Sequence, residues 1–313
     1  MQHESKLVQV LTDMNRFLTV VRRRHPRLRT LVPPGLIKYF SQGKSVLTGL
    51  SAAQVAVLHQ SSNVNIYHCC VHKTGSQWII SLLTDLTTYR YSGLGHFEYQ
   101  SVFYDGYDPR RMTERNFSEP FPVRTIVSPL YIDYHNYRNI PKSGKHKAFY
   151  VIRDPRDVLV SWYHSARYSH IPIGEIPALR RTLAGLSLVD GILYSIDHLE
   201  DFGMFSAMRS WADNAGNDPN VRMVRYEDLA TNRLEVFVEL FHYLDIPIPD
   251  HLLSGLIDAY NFKRLSGREQ GVENRESHIR SGKQGSWKKY FEPNVESRFY
   301  DVTGDLVQRL GYC

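Results

Sequence analysis

Two short segments about eighty residues apart carry residue types that hold phosphates: His72-Lys73-Thr74-Gly75-Ser76-Gln77-Trp78, and Tyr150-Val151-Ile152-Arg153-Asp154-Pro155-Arg156-Asp157. In the first, Lys73 offers a point charge, Thr74 and Ser76 offer hydroxyls, and Gly75 lets backbone approach an anion closely. A helix opening there adds its free N–H groups and its dipole. Trp78 offers a flat face for a purine. In the second, Arg153 ends an apolar run, and Ser161 falls roughly two helical turns beyond it. A third segment, Arg280-Ser281-Gly282, lies in a basic, glycine-containing stretch that can close over the same phosphate. Two phosphate seats on one sheet call for a nucleotide with phosphates at both ends of its ribose. A Walker A loop places its lysine after the second glycine; Lys73 precedes Gly75, so that loop is not formed. Each segment also has a plainer reading. The lysine turn is a strand-to-helix connection with a snorkelling side chain. Asp154, Arg156 and Asp157 cap and pair at a helix start. The late loop is a solvated surface.

The elements that must position these residues follow from the pattern around them. Asn65–Val71 is a strand, and a helix runs from about Gln77 to Leu86. Residues 89–121 read as loops with short helices. Val123–Val127 and Lys147–Ile152 are strands. Asp154-Pro155 supplies an N-cap and a first helical residue for a helix to about Ser169. Helical patterning returns at 190–212. Val221–Arg225 is a strand, followed by helices from Tyr226 to about Leu244, over 249–260, and over 294–310. Residues 263–290 lack periodicity. Strands alternating with helices predict an α/β fold: a parallel β-sheet flanked by helices, with ligands at the carboxyl ends of the strands. Upstream, residues 4–23 are amphipathic, with a basic run from Arg22 to Arg29 and a Pro33-Pro34-Gly35 break. Residues 1–60 are therefore expected to form a helical, basic extension on a domain covering 61–313.

The chain has 313 residues, 42% apolar and 22% charged, which is ordinary globular composition. Its net charge of +6 and pI of about 9.1 suit an anionic ligand. There is no motif that reads nucleic acid and no Cys/His spacing for zinc. No run approaches the ~18 apolar residues of a membrane span. The first residues lack the order of a secretory signal. Cys313 lacks the following residues of a prenylation box. Cys69 and Cys70 are adjacent in a strand and point to opposite faces, so they do not pair. The expectation is a cytoplasmic protein without a metal.

Taken together and in order, the three segments resemble the sulfotransferases that use 3′-phosphoadenosine-5′-phosphosulfate (PAPS), over roughly residues 64–300. The resemblance implies a P-loop-like sulfotransferase fold of the soluble bacterial type, with bisphosphate (PAP) as product. Lys73–Trp78 is similar to the loop that holds the 5′-phosphosulfate, with His72 where the family has proline. Arg153 and Ser161 match the 3′-phosphate positions. Tyr226 matches a tyrosine that reaches adenine, and Phe262 an aromatic that stacks on it opposite Trp78. Arg280-Ser281-Gly282 stands where the family has Arg-Lys-Gly. The resemblance implies a hydroxyl or amine acceptor on a small molecule, carbohydrate or lipid.

Two family features are missing. The histidine base of the cytosolic animal enzymes falls at Val127, in Thr125-Ile126-Val127-Ser128-Pro129, and valine cannot take a proton. The dimerisation motif is not reproduced in Lys288–Glu296. Three residues are then candidates for the base: Glu98, His96 and His135. Glu98 is expected to be first among them, with its carboxyl partly desolvated by Phe97, Tyr99 and Phe103. Rival readings are a P-loop-type phosphotransferase and a nucleotide-binding module without catalysis.

Overall fold

The computed structural model describes residues 56–103, 106–277 and 280–313. The amphipathic segment at 4–23, the basic run and nearly all of the expected 1–60 extension lie outside them.

In chain order the elements are β1 (Asn65–Cys70), α1 (Ser76–Leu83), α2 (Leu86–Arg90), β2 (Gly95–Phe97), β3 (Thr125–Tyr131), α3 (Tyr134–Asn139), β4 (His146–Ile152), α4 (Pro155–His164), α5 (Ile176–Ala184), α6 (Leu188–Asp201), α7 (Met204–Asn214), β5 (Val221–Arg225), α8 (Tyr226–Thr231), α9 (Arg233–Tyr243), α10 (Asp250–Ala259), α11 (Phe262–Ser266), α12 (Pro293–Thr303) and α13 (Leu306–Arg309). The five strands form one sheet, ordered β2-β3-β1-β4-β5, with every neighbouring pair parallel.

All six residues of β1 are buried, as a central parallel strand requires. After β1 the chain moves to one side of the sheet for β2 and β3, then crosses to the other side for β4 and β5. The order therefore reverses between β1 and β4, where a doubly wound sheet opens a crevice for ligands. Cys70 of β1 pairs with Val151 of β4, so the turns after these strands emerge side by side.

The strand at 123–127 is displaced and longer than expected. It begins at Thr125 and continues through Ser128-Pro129 to Tyr131. Pro129 is accommodated at an irregularity: Tyr67 pairs with Val127, but Cys69 pairs with Leu130. The reach of β3 to Tyr131 matters for the site. The helices expected at 77–86, 190–212 and 294–310 are each split in two, the last two at Gly203 and Gly304, both with positive φ. Asp154 and Pro155 do open α4, the Asp154 carboxylate accepting the Arg156 N–H at 2.9 Å. Trp211 of α7 anchors the helical layer: it stacks on Tyr150 at 4.5 Å and donates to the Ile132 carbonyl at 2.8 Å.

Candidate active site

Beyond β1 the backbone turns sharply. Lys73 has φ 71° and Gly75 φ 83°, and α1 follows at once. Left-handed residues this close together curl successive N–H groups into an anion-binding hollow. Lysine in this conformation costs about 1 kcal/mol, and glycine little. The Thr74 hydroxyl donates to the Val71 carbonyl at 2.9 Å and holds the turn shut from behind. No side chain caps α1, so its dipole and leading N–H groups face outward. Ser76 opens that helix, with its Oγ 3.1 Å from the Tyr131 hydroxyl. Gln77 is exposed in the same turn.

Arg153, at the end of β4, ties the second turn to the first. Its Nη1 donates to the Lys73 carbonyl at 2.7 Å, and its guanidinium lies 4.5 Å from the centre of the Tyr226 ring. Tyr226 opens α8 directly after β5, and its ring covers Gly75. A Cβ on Gly75 would stand 2.8 Å from Tyr226 Cε2, which is why this position takes glycine. Ser161, half-buried on α4, follows Arg153 at the distance expected of two helical turns.

The late basic loop reaches the same region. Arg280 is buried; it donates to Glu273 at 2.8 Å and to the Ser286 hydroxyl at 2.9 Å. Ser281 is also buried, and Gly282, at φ 62°, lies under the Phe262 ring: a Cβ there would be 2.6 Å from Phe262 Cδ2. Asp157 secures the loop. Its carboxylate accepts the Gly285 N–H at 2.7 Å, the Ser286 hydroxyl at 3.0 Å and the Trp287 N–H at 3.0 Å. The sequence reading missed this role because an aspartate in a first helical turn already has a local use.

Burial, then the charges of Arg153 and Arg280, lowers the Lys73 pKa to about 7. Three cationic side chains thus converge where no acidic group neutralises Lys73 among these causes. Several buried donors here lack partners: Arg153 Nε, Arg280 Nε and the indole N–H of Trp78. Trp78 packs edge-on against Phe237 at 5.4 Å. His164, one turn beyond Ser161 on α4, is buried with both ring nitrogens unpartnered, and burial lowers its pKa to about 4. An anion with several acceptor oxygens matches this surplus of donors and positive charge.

The three candidate bases are placed less favourably. Glu98 is exposed, which corrects the expected desolvation. Alternation along the chain sends Phe97 and Tyr99 inward and turns Glu98 outward. His96 sits on the edge strand β2, and its Nε2–H donates to the Ser128 carbonyl at 2.7 Å. Burial lowers its pKa. His135 is exposed on α3, beside Tyr134. Val127 is fully buried within β3, opposite Tyr67.

A five-stranded parallel sheet with basic, glycine-bearing turns at two adjacent strand ends is a doubly wound α/β architecture whose crevice lies where the strand order reverses. The family model for the sulfotransferase domain matches residues 66–311, and the chain belongs to that family. Cytosolic sulfotransferase 1 of Arabidopsis thaliana is 24% identical over 185 residues, 54% of this chain and 52% of that protein, so the chain spans about half the length of that relative. Flavonol 4′-sulfotransferase of Flaveria chlorifolia is 22% identical over 275 residues, covering 79% of this chain and 80% of that one. A mouse sulfotransferase solved in complex with PAP superposes with a TM-score of 0.49 at 18% identity, covering 80% of this chain and 87% of that one. No helix among the described residues is long and apolar enough to cross a membrane.

Proposed function

We propose that this chain moves the sulfuryl group of PAPS to a hydroxyl or amine of a small-molecule, carbohydrate or lipid acceptor, leaving PAP. The observation that carries this reading is the 2.7 Å bond from Arg153 to the Lys73 carbonyl, which makes the two anion seats neighbours. Lys73 and the uncapped start of α1 hold the 5′ end, with Thr74, Gly75, Ser76 and Gln77 forming its wall. Arg153, Ser161, Arg280, Ser281 and Gly282 hold the 3′-phosphate. Trp78, Tyr226 and Phe262 frame the adenine. An acceptor of the flavonol kind, named in the Flaveria relative, fits the aromatic rings beside the turn.

Sulfuryl transfer is an in-line displacement, so position and charge carry most of the catalysis. Lys73 neutralises charge that grows on the oxygen bridging sulfur and phosphorus. Arg153 and Arg280 fix a phosphate that does not react. Among the expected bases, Glu98, directly after β2, stays a candidate, with His96 and His135 behind it. A cytoplasmic setting belongs to this reading, since all three cysteines are free thiols.

Calorimetric titration tests the nucleotide: PAP without metal should bind, and ATP with magnesium should bind much more weakly. Equal affinity for both would favour a phosphotransferase. Transfer of label from sulfur-35 PAPS to an added acceptor tests the reaction itself.

A further inference from the structure

Resting on the sulfotransferase reading, we propose that His72 is the catalytic base that takes the acceptor's proton. The imidazole belongs to the phosphosulfate turn itself, one residue before Lys73. Its ring stacks on Tyr131 with centroids 3.9 Å apart and planes 27° apart. The Tyr131 hydroxyl is in turn 3.1 Å from Ser76 Oγ, at the first residue of α1. His72, Tyr131 and the uncapped helix start therefore share one scaffold.

The strand register explains why β3 supplies no base there. Val127 lies opposite Tyr67, in the middle of β1, whereas Tyr131 lies opposite Cys70, the last residue of β1. The β3 side chain that meets the turn is thus Tyr131, not Val127. Burial raises the Tyr131 pKa far beyond neutrality, so the phenol does not take the proton; it positions the ring that does. The Tyr131 backbone is fixed as well, its carbonyl accepting from Arg115 Nη1 at 3.0 Å.

His72 is half-buried, and Trp162 and Phe202 stand 5.6 Å and 5.8 Å from its ring. These rings are buried themselves and pack an apolar surround against one side of His72, while the imidazole stays half-buried at the mouth of the turn. The other candidates lack this placement: Glu98 is exposed, His96 sits on the edge strand β2, and His135 is exposed on α3. The step balances simply. The acceptor oxygen forms a bond to sulfur while the bond from sulfur to the bridging oxygen breaks. That electron pair leaves on the 5′-phosphate of PAP, and the acceptor proton passes to an imidazole nitrogen of His72.

The test uses two acceptors, unsubstituted phenol and 4-nitrophenol, with PAPS as donor. 4-Nitrophenol ionises by itself near neutrality and needs little help from a base. His72→Gln should lose about 10²-fold or more in turnover with phenol and only a few-fold with 4-nitrophenol, while binding PAP normally. His72→Phe keeps the stack on Tyr131 and should show the same acceptor-dependent loss, which separates proton transfer from packing. Equal losses with both acceptors would show that His72 only supports the turn. Wild-type turnover in His72→Gln, or an acceptor-dependent loss in Glu98→Gln instead, would overturn the assignment. A wild type that binds PAP but sulfates neither phenol would remove the acceptor from beside His72. A wild type that binds no PAP would instead sink the nucleotide reading, before any variant is compared.

Discussion

On the proposed reading Lys73 and Arg153 have different jobs, and substitution separates them. Lys73→Ala should lower turnover by about 10²–10³-fold, because its charge counters charge that appears only as the bond to sulfur breaks. Arg153→Ala should chiefly weaken PAP binding, by about 2–3 kcal/mol, the worth of a charged hydrogen bond to a phosphate. Calorimetry of both variants checks this; unchanged affinity in Arg153→Ala would dismiss the 3′-phosphate assignment. The lowered Lys73 pKa adds a pH signature. With the site free of anion Lys73 titrates at about 7, and a bound polyanion raises that value. At pH 6 the ammonium is already formed and binding takes up little. At pH 8 it is mostly neutral, so binding should draw in close to one proton, and PAP affinity should fall as pH rises past 7. Titrations in buffers of differing ionisation enthalpy report the uptake, and Lys73→Ala should abolish it.

Among the elements, the loop held by Asp157 is the most exposed to a single change. Asp157→Ala would leave the Gly285 and Trp287 N–H groups and the Ser286 hydroxyl without their acceptor, and Ser286, with Glu273, holds Arg280. The cost should be about 3 kcal/mol of stability, read by urea denaturation, together with weaker PAP binding. Because Asp157 pins 285–287, hydrogen exchange should slow on PAP binding mainly over 267–277 and little over 285–290. Uniform protection across both stretches would argue against that division. The parallel core was legible because β1 and β4 carry apolar runs ended by charged or glycine-bearing turns, and β5 carries Val221, Met223 and Val224 between two helical patterns. That Lys73 and Arg153 share one end of the sheet followed from those same runs. β2 was not legible: Gly95-His96-Phe97 is three half-buried residues, too short to alternate. Pro129 disguised the far end of β3, since proline normally closes a strand, and with it the place of Tyr131 beside the turn. The splits at Gly203 and Gly304 fall where isolated glycines are common inside helices too. Glu98 was misjudged because neighbouring aromatics in sequence were taken as neighbours in space.

At the scale of the whole molecule, ligand binding should appear as thermal stability. PAP at a hundred times its dissociation constant adds about 2.7 kcal/mol to the folded state. For a domain of this size that is a rise of about 5–10 °C in melting temperature, and ATP with magnesium at the same concentration should give much less. No rise with PAP would count against the nucleotide site as a whole. The bond from Arg153 to the Lys73 carbonyl bears on how the enzyme tells one sulfate donor from another. Adenosine 5′-phosphosulfate, the biosynthetic precursor of PAPS, carries the same reactive group but no 3′-phosphate. Without a 3′-phosphate the guanidinium lacks its charged partner and keeps only the Lys73 carbonyl and the Tyr226 ring, and the peptide it braces belongs to the residue that must face the leaving group. The precursor should therefore be a slow substrate even at saturation, with kcat reduced as well as affinity. Discrimination between the two donors would then be made in the rate of chemistry, and an excess of precursor would occupy the enzyme without being used.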